Sequence, residues 1–225
     1  MVNVALIVAA GRGSRMQQIL PKQYLQLGDN LVLWHTINAF LASDHVHVIR
    51  VVIHPDDHQL YLDAISSIND HRLREPVFGG ASRAESVYFG LKALADDAPA
   101  CVLIHDAARP FCSPRLIESV LAPLGEVDGA FAALPVVDAL WRADGLDAVS
   151  PVARNGLWRA QTPQAFNYAS ILAAHSAGCG DALDDVEIAR SAGLKVRLVE
   201  GDESNFKITL PRDLERAMKL LATER

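Results

Sequence analysis

An α/β fold with a Rossmann-like, mostly parallel sheet and helices on both faces is the class that this sequence predicts, from three observations. Apolar runs alternate along the chain with stretches of helical periodicity, the pattern of repeated βαβ units. Half of the residues are hydrophobic but only 6% are aromatic, so the apolar content is mostly Ala, Val, Leu and Ile, which suits strands covered on both faces. The 225 residues suffice for one large domain and are short for two. A chain of this length buries roughly 70–75% of its extended surface and needs no staples.

The elements follow in order. "NVALIVAA" (3–10) reads as a buried strand, "WHTINAFLAS" (34–43) as a helix, "VHVIRVVI" (46–53) as a strand and "DDHQLYLDAISSI" (56–68) as a helix. "RLREPVF" (72–78) holds a short strand. "SRAESVYFGLKALA" (82–95) is a helix with Ser82 as N-cap and Glu85 three residues on, the spacing of a capping box. "ACVLIHD" (100–106) is a strand, and "SPRLIESVLAPL" (113–124) a helix capped by Ser113 with Pro114 in its first position. "GAFAALPV" (129–136) is a strand and "DLERAMKLLATER" (213–225) the closing helix. Between them, "VVDALWRADGLDAVSPVARNGLW" (136–158) breaks the rhythm: Asp144-Gly145 is a hairpin signal between two extended runs. An inserted β-hairpin arm is expected at about 136–153, exposing Leu140, Trp141, Leu146 and Val149 if it stands alone.

Composition excludes several classes. The formal net charge of −6 argues against general nucleic-acid binding, and makes any local gathering of Lys and Arg stand out. Cys101, Cys112 and Cys179 match no zinc spacing and form no even disulfide framework, which suggests a reducing, cytoplasmic setting. The run Val4 to Ala10 is too short for a membrane span and lacks the basic flank of a signal peptide.

"ALIVAAGRGSRMQQILPKQYL" (5–25) carries the first chemical signal. Gly11 and Gly13 follow a strand and let the backbone approach a phosphate, and Arg12, Arg15 and Lys22 bring positive charge. A P-loop would need Gly-Lys-Ser/Thr where the chain has Gly13-Ser14-Arg15. A dinucleotide fingerprint would need a third glycine at Met16 and an acid ending the second strand; the nearest acid, Asp29, lies in the turn "LGDN". A nicotinamide-dependent oxidoreductase is disfavoured on those grounds. A tight strand–helix turn with surface cations stands as the plain alternative.

Further stretches occur in order: "GGASRAESVYFGL" (79–91), "HDAARPF" (105–111), "RNGLWRAQTPQAF" (154–166) and "EGDESNFKIT" (200–209). With "AAGRGSRM" and "PKQYL" they resemble the 2-C-methyl-D-erythritol 4-phosphate cytidylyltransferase family, from residue 3 to about 217. Ribitol-phosphate cytidylyltransferases share the "HD…RP" and "TPQ" elements, and a cytidylyltransferase for another polyol phosphate is the alternative. The resemblance implies a sheet of the nucleotide-diphospho-sugar transferase type in one nucleotidyltransferase domain over 1–225, and a cytoplasmic enzyme of the non-mevalonate isoprenoid pathway. It implies that CTP and methylerythritol phosphate give the cytidine diphosphate-linked alcohol and pyrophosphate with Mg²⁺. By motif, Arg15 and Lys22 match the family's transition-state stabilisers, and Arg154 and Lys207 the pair that positions the sugar phosphate. Asp106 lies by the metal and ribose. Ala9, Ala10, Gly11, Gly13, Gly80, Arg83, Ser86 and Ala107 fall in the nucleotide pocket, and Arg109, Asp138 and Thr162 join the acceptor side. The family also implies a homodimer with interlocked arms, each bringing Asp138 and Arg154 to its neighbour's acceptor site. Some members are fused to a later cyclase, which is not expected on a chain ending at Arg225. Two positions depart from the usual pattern: Ala139 and Leu183 stand where threonines are common.

The chemistry needs no triad. The acceptor is already a phosphate and an anionic nucleophile near pH 7, so the barrier is the meeting of two anions, lowered by fixed cations. Keeping Arg15, Lys22, Asp106, Arg154 and Lys207 together counts against a non-catalytic nucleotide sensor. His105 and Asp106 are adjacent on a strand and face opposite ways, so Asp106 is expected in the site and His105 in the core. Lys207, flanked by the apolar Phe206 and Ile208, is expected to be directed rather than loose.

Overall fold

The computed structural model describes residues 2–12, 20–178 and 182–223. In chain order its elements begin with β1 (Asn3–Ala9), the two-stranded ribbon β2 (Gln26–Leu27) and β3 (Asn30–Leu31), and α1 (Val32–Leu41). Next come β4 (Val48–Ile53), α2 (His58–Ile65), β5 (Val77–Phe78), α3 (Arg83–Ala93), β6 (Cys101–Asp106), α4 (Pro114–Leu121) and β7 (Gly129–Pro135). The last part holds β8 (Leu140–Asp144), β9 (Asp147–Val152), β10 (Trp158–Asn167), α5 (Tyr168–Ser176), α6 (Asp185–Ser191), β11 (Val196–Glu200) and α7 (Pro211–Thr223). Among the described residues, the main sheet has seven strands in the order β11-β7-β10-β6-β1-β4-β5.

β1 lies inside the sheet, pairing in parallel with β4 on one side and β6 on the other. Its alternation divides the core. Ala5, Ile7 and Ala9 pack with Leu33, Ile37 and Phe40 of α1 on one face. Val4 and Leu6 pack with Val87 and Leu91 of α3 on the other. Each fully buried aliphatic side chain stabilises the fold by about 1.5–3 kcal/mol, so a strand with no polar face forms the centre. α3 sits close: a Cβ on Gly90 would come within 2.7 Å of Leu6 Cδ1 and Val52 Cγ2.

The caps work nearly as expected. Ser82 Oγ accepts from Glu85 N at 3.1 Å, but the Glu85 carboxylate accepts from Ala81 N, one residue beyond the Ser82 N of a reciprocal box. Ser113 caps α4 with Pro114 in the first position. The helix expected over 56–68 opens instead as a 3₁₀ turn, Pro55–Asp57, before α2.

The sequence does not announce β10. This ten-residue strand runs antiparallel to both neighbours, β6 and β7, within an otherwise parallel sheet. Its pairing with β7 is interrupted between Ala160 and Gln164. The hairpin arm is present as β8 and β9, a separate two-stranded sheet. Asp144 pairs with Asp147, so Gly145 and Leu146 form the tip, with Gly145 at φ 56°. Val137, Trp141, Leu146 and Val149 are exposed. At the root, Val136 N donates to Leu157 O at 3.1 Å. Among the described residues Cys101 and Cys112 are free thiols, and no helix is long and apolar enough to cross a membrane.

Candidate active site

A cavity of about 500 Å³ opens at the carboxyl ends of β1 and β6, where parallel α/β sheets place ligands. Ala9, Ala10, Gly11, Lys22, Gly80, Arg83, Ser86, Asp106, Ala107 and Lys207 all line it. Gly13 and Arg15 lie outside the described residues.

The floor comes from "PKQYL". Pro21 leads into a 3₁₀ turn, Lys22–Tyr24. Lys22 lines the cavity, while the buried Gln23 passes beneath the glycine loop and donates from Nε2 to Ala9 O at 2.6 Å and Gly11 O at 3.2 Å. Gln23 was not anticipated; its amide fixes loop carbonyls that no periodicity reveals. One wall is the turn before α3. Ser86 Oγ accepts from Gly80 N at 3.1 Å and donates to Ser82 O at 2.8 Å, so this hydroxyl shapes the wall. A Cβ on Gly79 would come within 2.6 Å of Ala10 Cβ and Ser86 Oγ, which explains the small residues here.

Asp106 ends β6 at the back. Lys207 Nζ stands 2.9 Å and Arg109 Nε 3.4 Å from its Oδ2, and Arg83 Nε 3.9 Å from Oδ1. Burial works against ionisation, but Lys207, Arg83 and Arg109 outweigh it and hold the carboxyl well below the usual carboxylate range. One carboxylate among three cations leaves local positive charge on an acidic chain, which suits an anionic ligand. Lys207 is anchored by its neighbour: Ile208 is fully buried against Ala108, Val32 and Ala217, and its N–H donates to Ala108 O at 2.9 Å.

His105 faces the other way and is fully buried, with its ring against Phe40. Burial pushes its pKa down to about 4, so the imidazole is neutral at pH 7. Its Nε2 donates to Arg109 O at 3.0 Å, which makes Nδ1 the acceptor for the Thr162 hydroxyl at 3.1 Å. Thr162 Oγ1 in turn accepts from Asp106 N at 3.0 Å.

Three expectations change with this geometry. Thr162, expected to touch the sugar phosphate, has its hydroxyl committed inside the sheet between β10 and β6. Arg109, also expected on the substrate, is buried and donates to Asn205 O at 2.8 Å as well as facing Asp106; it does not line the cavity. Arg12, expected to offer charge to a phosphate, does line the cavity, but its guanidinium is paired with Asp57 Oδ1 at 2.7 Å and Asp56 Oδ2 at 2.8 Å. Asp138 and Arg154 are exposed at the root of the arm and do not line this cavity; the Arg154 guanidinium donates to Val137 O. Ala139 and Leu183 are exposed. Also unanticipated was Asp185, fully buried behind Arg83.

Among the described residues no group of three or more His, Cys, Asp or Glu side chains gathers as a metal site. Asp106 Oδ1, which faces Arg83 Nε at 3.9 Å, is a hard oxygen ligand of the kind that would suit a Mg²⁺ ion keeping several of its waters.

The family model of IspD, 2-C-methyl-D-erythritol 4-phosphate cytidylyltransferase, matches residues 3–223. A Cereibacter sphaeroides protein with that name is 51% identical over 222 residues, covering 99% of this chain and 98% of its own. A bifunctional enzyme IspD/IspF of Rhodospirillum rubrum is 49% identical over 221 residues, 98% of this chain and 57% of that one. A crystal structure of a 4-diphosphocytidyl-2C-methyl-D-erythritol synthase has a TM-score of 0.86 at 30% identity, covering 98% of this chain and all of the other, 100%. The 2-C-methyl-D-erythritol 4-phosphate cytidylyltransferase of Thermus thermophilus has a TM-score of 0.78 at 30% identity, covering 96% and 98%.

Proposed function

Because the chain belongs to the 2-C-methyl-D-erythritol 4-phosphate cytidylyltransferase family, we propose that CTP occupies the cavity at the ends of β1 and β6 and that the acceptor phosphate attacks its α-phosphorus there. The chain is a nucleotidyltransferase of isoprenoid biosynthesis that makes 4-CDP-2-C-methyl-D-erythritol and pyrophosphate from CTP and methylerythritol phosphate. The observation that carries the assignment of the cavity is its inward set of cations, Lys22, Arg83 and Lys207, around one carboxylate.

The acceptor oxygen is already anionic, so no residue need take a proton from it. His105 is buried, neutral and bonded on both ring nitrogens, and serves to hold Asp106 and Arg109. Lys22, with Arg15, stabilises the charge that grows on the α-phosphate and the leaving pyrophosphate. Arg83 meets phosphate oxygens as a planar donor fork. When bound, Mg²⁺ neutralises triphosphate charge, and Asp106 Oδ1 is the protein oxygen that would hold it. Asp106→Asn then raises the Mg²⁺ concentration needed for half-maximal rate; an unchanged Mg²⁺ titration would remove Asp106 from the metal.

The arm at about 136–153 is proposed as the dimerisation element of a single nucleotidyltransferase domain. Its exposed Trp141, Leu146 and Val149 favour burial against a second copy, and Asp138 and Arg154, remote from their own cavity lining, would complete the partner's acceptor site. Free Cys101 and Cys112 support a cytoplasmic setting.

Pyrophosphate release with CTP, Mg²⁺ and methylerythritol phosphate, run beside ribitol 5-phosphate, tests the assignment. Turnover with the methylerythritol phosphate alone is expected. Faster turnover with ribitol 5-phosphate would move the chain to the other polyol.

A further inference from the structure

Behind the cavity wall lies a buried charge that the reaction itself does not call for. Asp185 opens α6, and its side chain is 0% exposed, as is that of His175 in the last turn of α5. Arg83 Nη2 stands 2.8 Å from Asp185 Oδ2, and His175 Nε2 stands 3.1 Å from Oδ1. Both carboxylate oxygens are thus engaged, one from inside the protein and one from the cavity wall. We propose that Asp185 and His175 are positioning residues that hold the Arg83 guanidinium facing the nucleotide.

The reason lies in what Arg83 would otherwise do. It is the first residue of α3, where the helix dipole disfavours a cation. Its Nε is 3.9 Å from Asp106 Oδ1, so a loose side chain could settle on that carboxylate and remove both groups from the ligand. Asp185 draws Nη2 away from Asp106 and leaves the rest of the planar fork along the cavity. His175 supplies the second partner that a buried carboxylate requires. Burial alone would raise the Asp185 pKa, but Arg83 and His175 outweigh it and keep the carboxyl ionised. The helix start is itself fixed: Asp184 caps α6 by accepting from Glu187 N at 3.0 Å and takes Gln164 Nε2 at 3.2 Å from β10. Contacts 102 and 10 residues apart in sequence therefore converge on one carboxylate, which in turn holds the guanidinium.

The inference rests on Arg83 facing CTP, and its test separates the two. Steady-state kinetics on Arg83→Ala, Asp185→Asn and the double variant should show Asp185→Asn raising the KM for CTP about tenfold, the scale of one charge-assisted contact. The KM for methylerythritol phosphate should stay fixed, and the double variant should be no worse than Arg83→Ala. His175→Gln, which keeps a donor, should stay near wild type, while His175→Leu should follow Asp185→Asn. If Arg83→Ala raises the KM for CTP but the Asp185 effect adds to it in full, Asp185 does not act through Arg83. A lower melting temperature and kcat with both KM values unchanged would likewise make Asp185 merely structural. If Arg83→Ala leaves the CTP KM unchanged, the assignment of the cavity fails and takes this inference with it. Should Asp185→Asn not fold, the His175 pair carries the test, and an unchanged CTP KM in His175→Leu overturns the proposal.

Discussion

Lys207 Nζ lies 2.9 Å from Asp106 Oδ2, so in the free protein the cation and the carboxylate of the cavity are partners of one another. Arg83 and Arg109 add to the field, and Asp106 is held well below the usual carboxylate range despite its burial. In the unfolded chain it titrates near about 3.9. The unfolded state then binds a proton that the folded state refuses, so the contribution to stability is present above about pH 4 and is lost as pH falls below it. The urea midpoint should therefore drop between pH 5 and pH 3, and drop less in Asp106→Asn. Equal drops in the two proteins would mean that the cations do not hold this carboxylate.

Lys22 lines the cavity next to the buried Gln23 that fixes the glycine loop. Lys22→Met and Arg15→Met should each lower turnover by about 10²-fold or more with the fold intact, the scale of one fixed donor at developing charge. Near-normal turnover in both folded variants would contradict a transition-state role.

Thr162 Oγ1 joins Asp106 N to His105 Nδ1. Thr162→Val leaves a buried donor and a buried acceptor without partners, and should cost about 1–3 kcal/mol in urea unfolding. The KM for methylerythritol phosphate should not rise. A raised acceptor KM with unchanged stability would restore Thr162 to the substrate.

Arg154 stands on the arm, away from the cavity that holds Lys22. A mixture of Arg154→Ala and Lys22→Met chains should recover activity after subunit exchange, since some mixed dimers regain one intact site. Activity that stays at the level of the separate variants, once exchange is verified, would reject a shared site. A monomer by light scattering at micromolar concentration would reject the dimer itself.

What the sequence made legible follows from periodicity. β1, β4, β6 and β7 are mostly apolar runs, and α3 and α4 carry caps at their first turns. β10 was hidden because its middle is polar. Gln161, Thr162 and Gln164 are buried in it, and Gln161 exchanges hydrogen bonds with Asp202 while Asn205 Nδ2 donates to Thr162 O. Polar side chains that satisfy the interior look, in one dimension, like a loop. In the cavity, Gly80, Arg83, Ser86 and Lys207 came with the family resemblance, whereas Gly11 and Lys22, a glycine and a cation following a strand, were readable locally. Arg12, Arg109 and Asp185 were not, because their partners lie at sequence separations of 45, 96 and 102. Nothing local separates a cation that meets a ligand from one that a carboxylate has already neutralised.

The arm leaves and re-enters the sheet at one point. Val136 and Leu157 are hydrogen-bonded across its root, and Pro135 pairs with Trp158 just inside. Topologically the arm is a cassette inserted into an ordinary β-hairpin: cut out, it would leave two ends that a short turn can join, with β7 and β10 still paired. The arm can therefore change in length and sequence without disturbing the pairing of β7 with β10 in the main sheet. Changes confined to the cassette leave the walls of the cavity at the ends of β1 and β6 untouched, since no residue of β8 or β9 lines it.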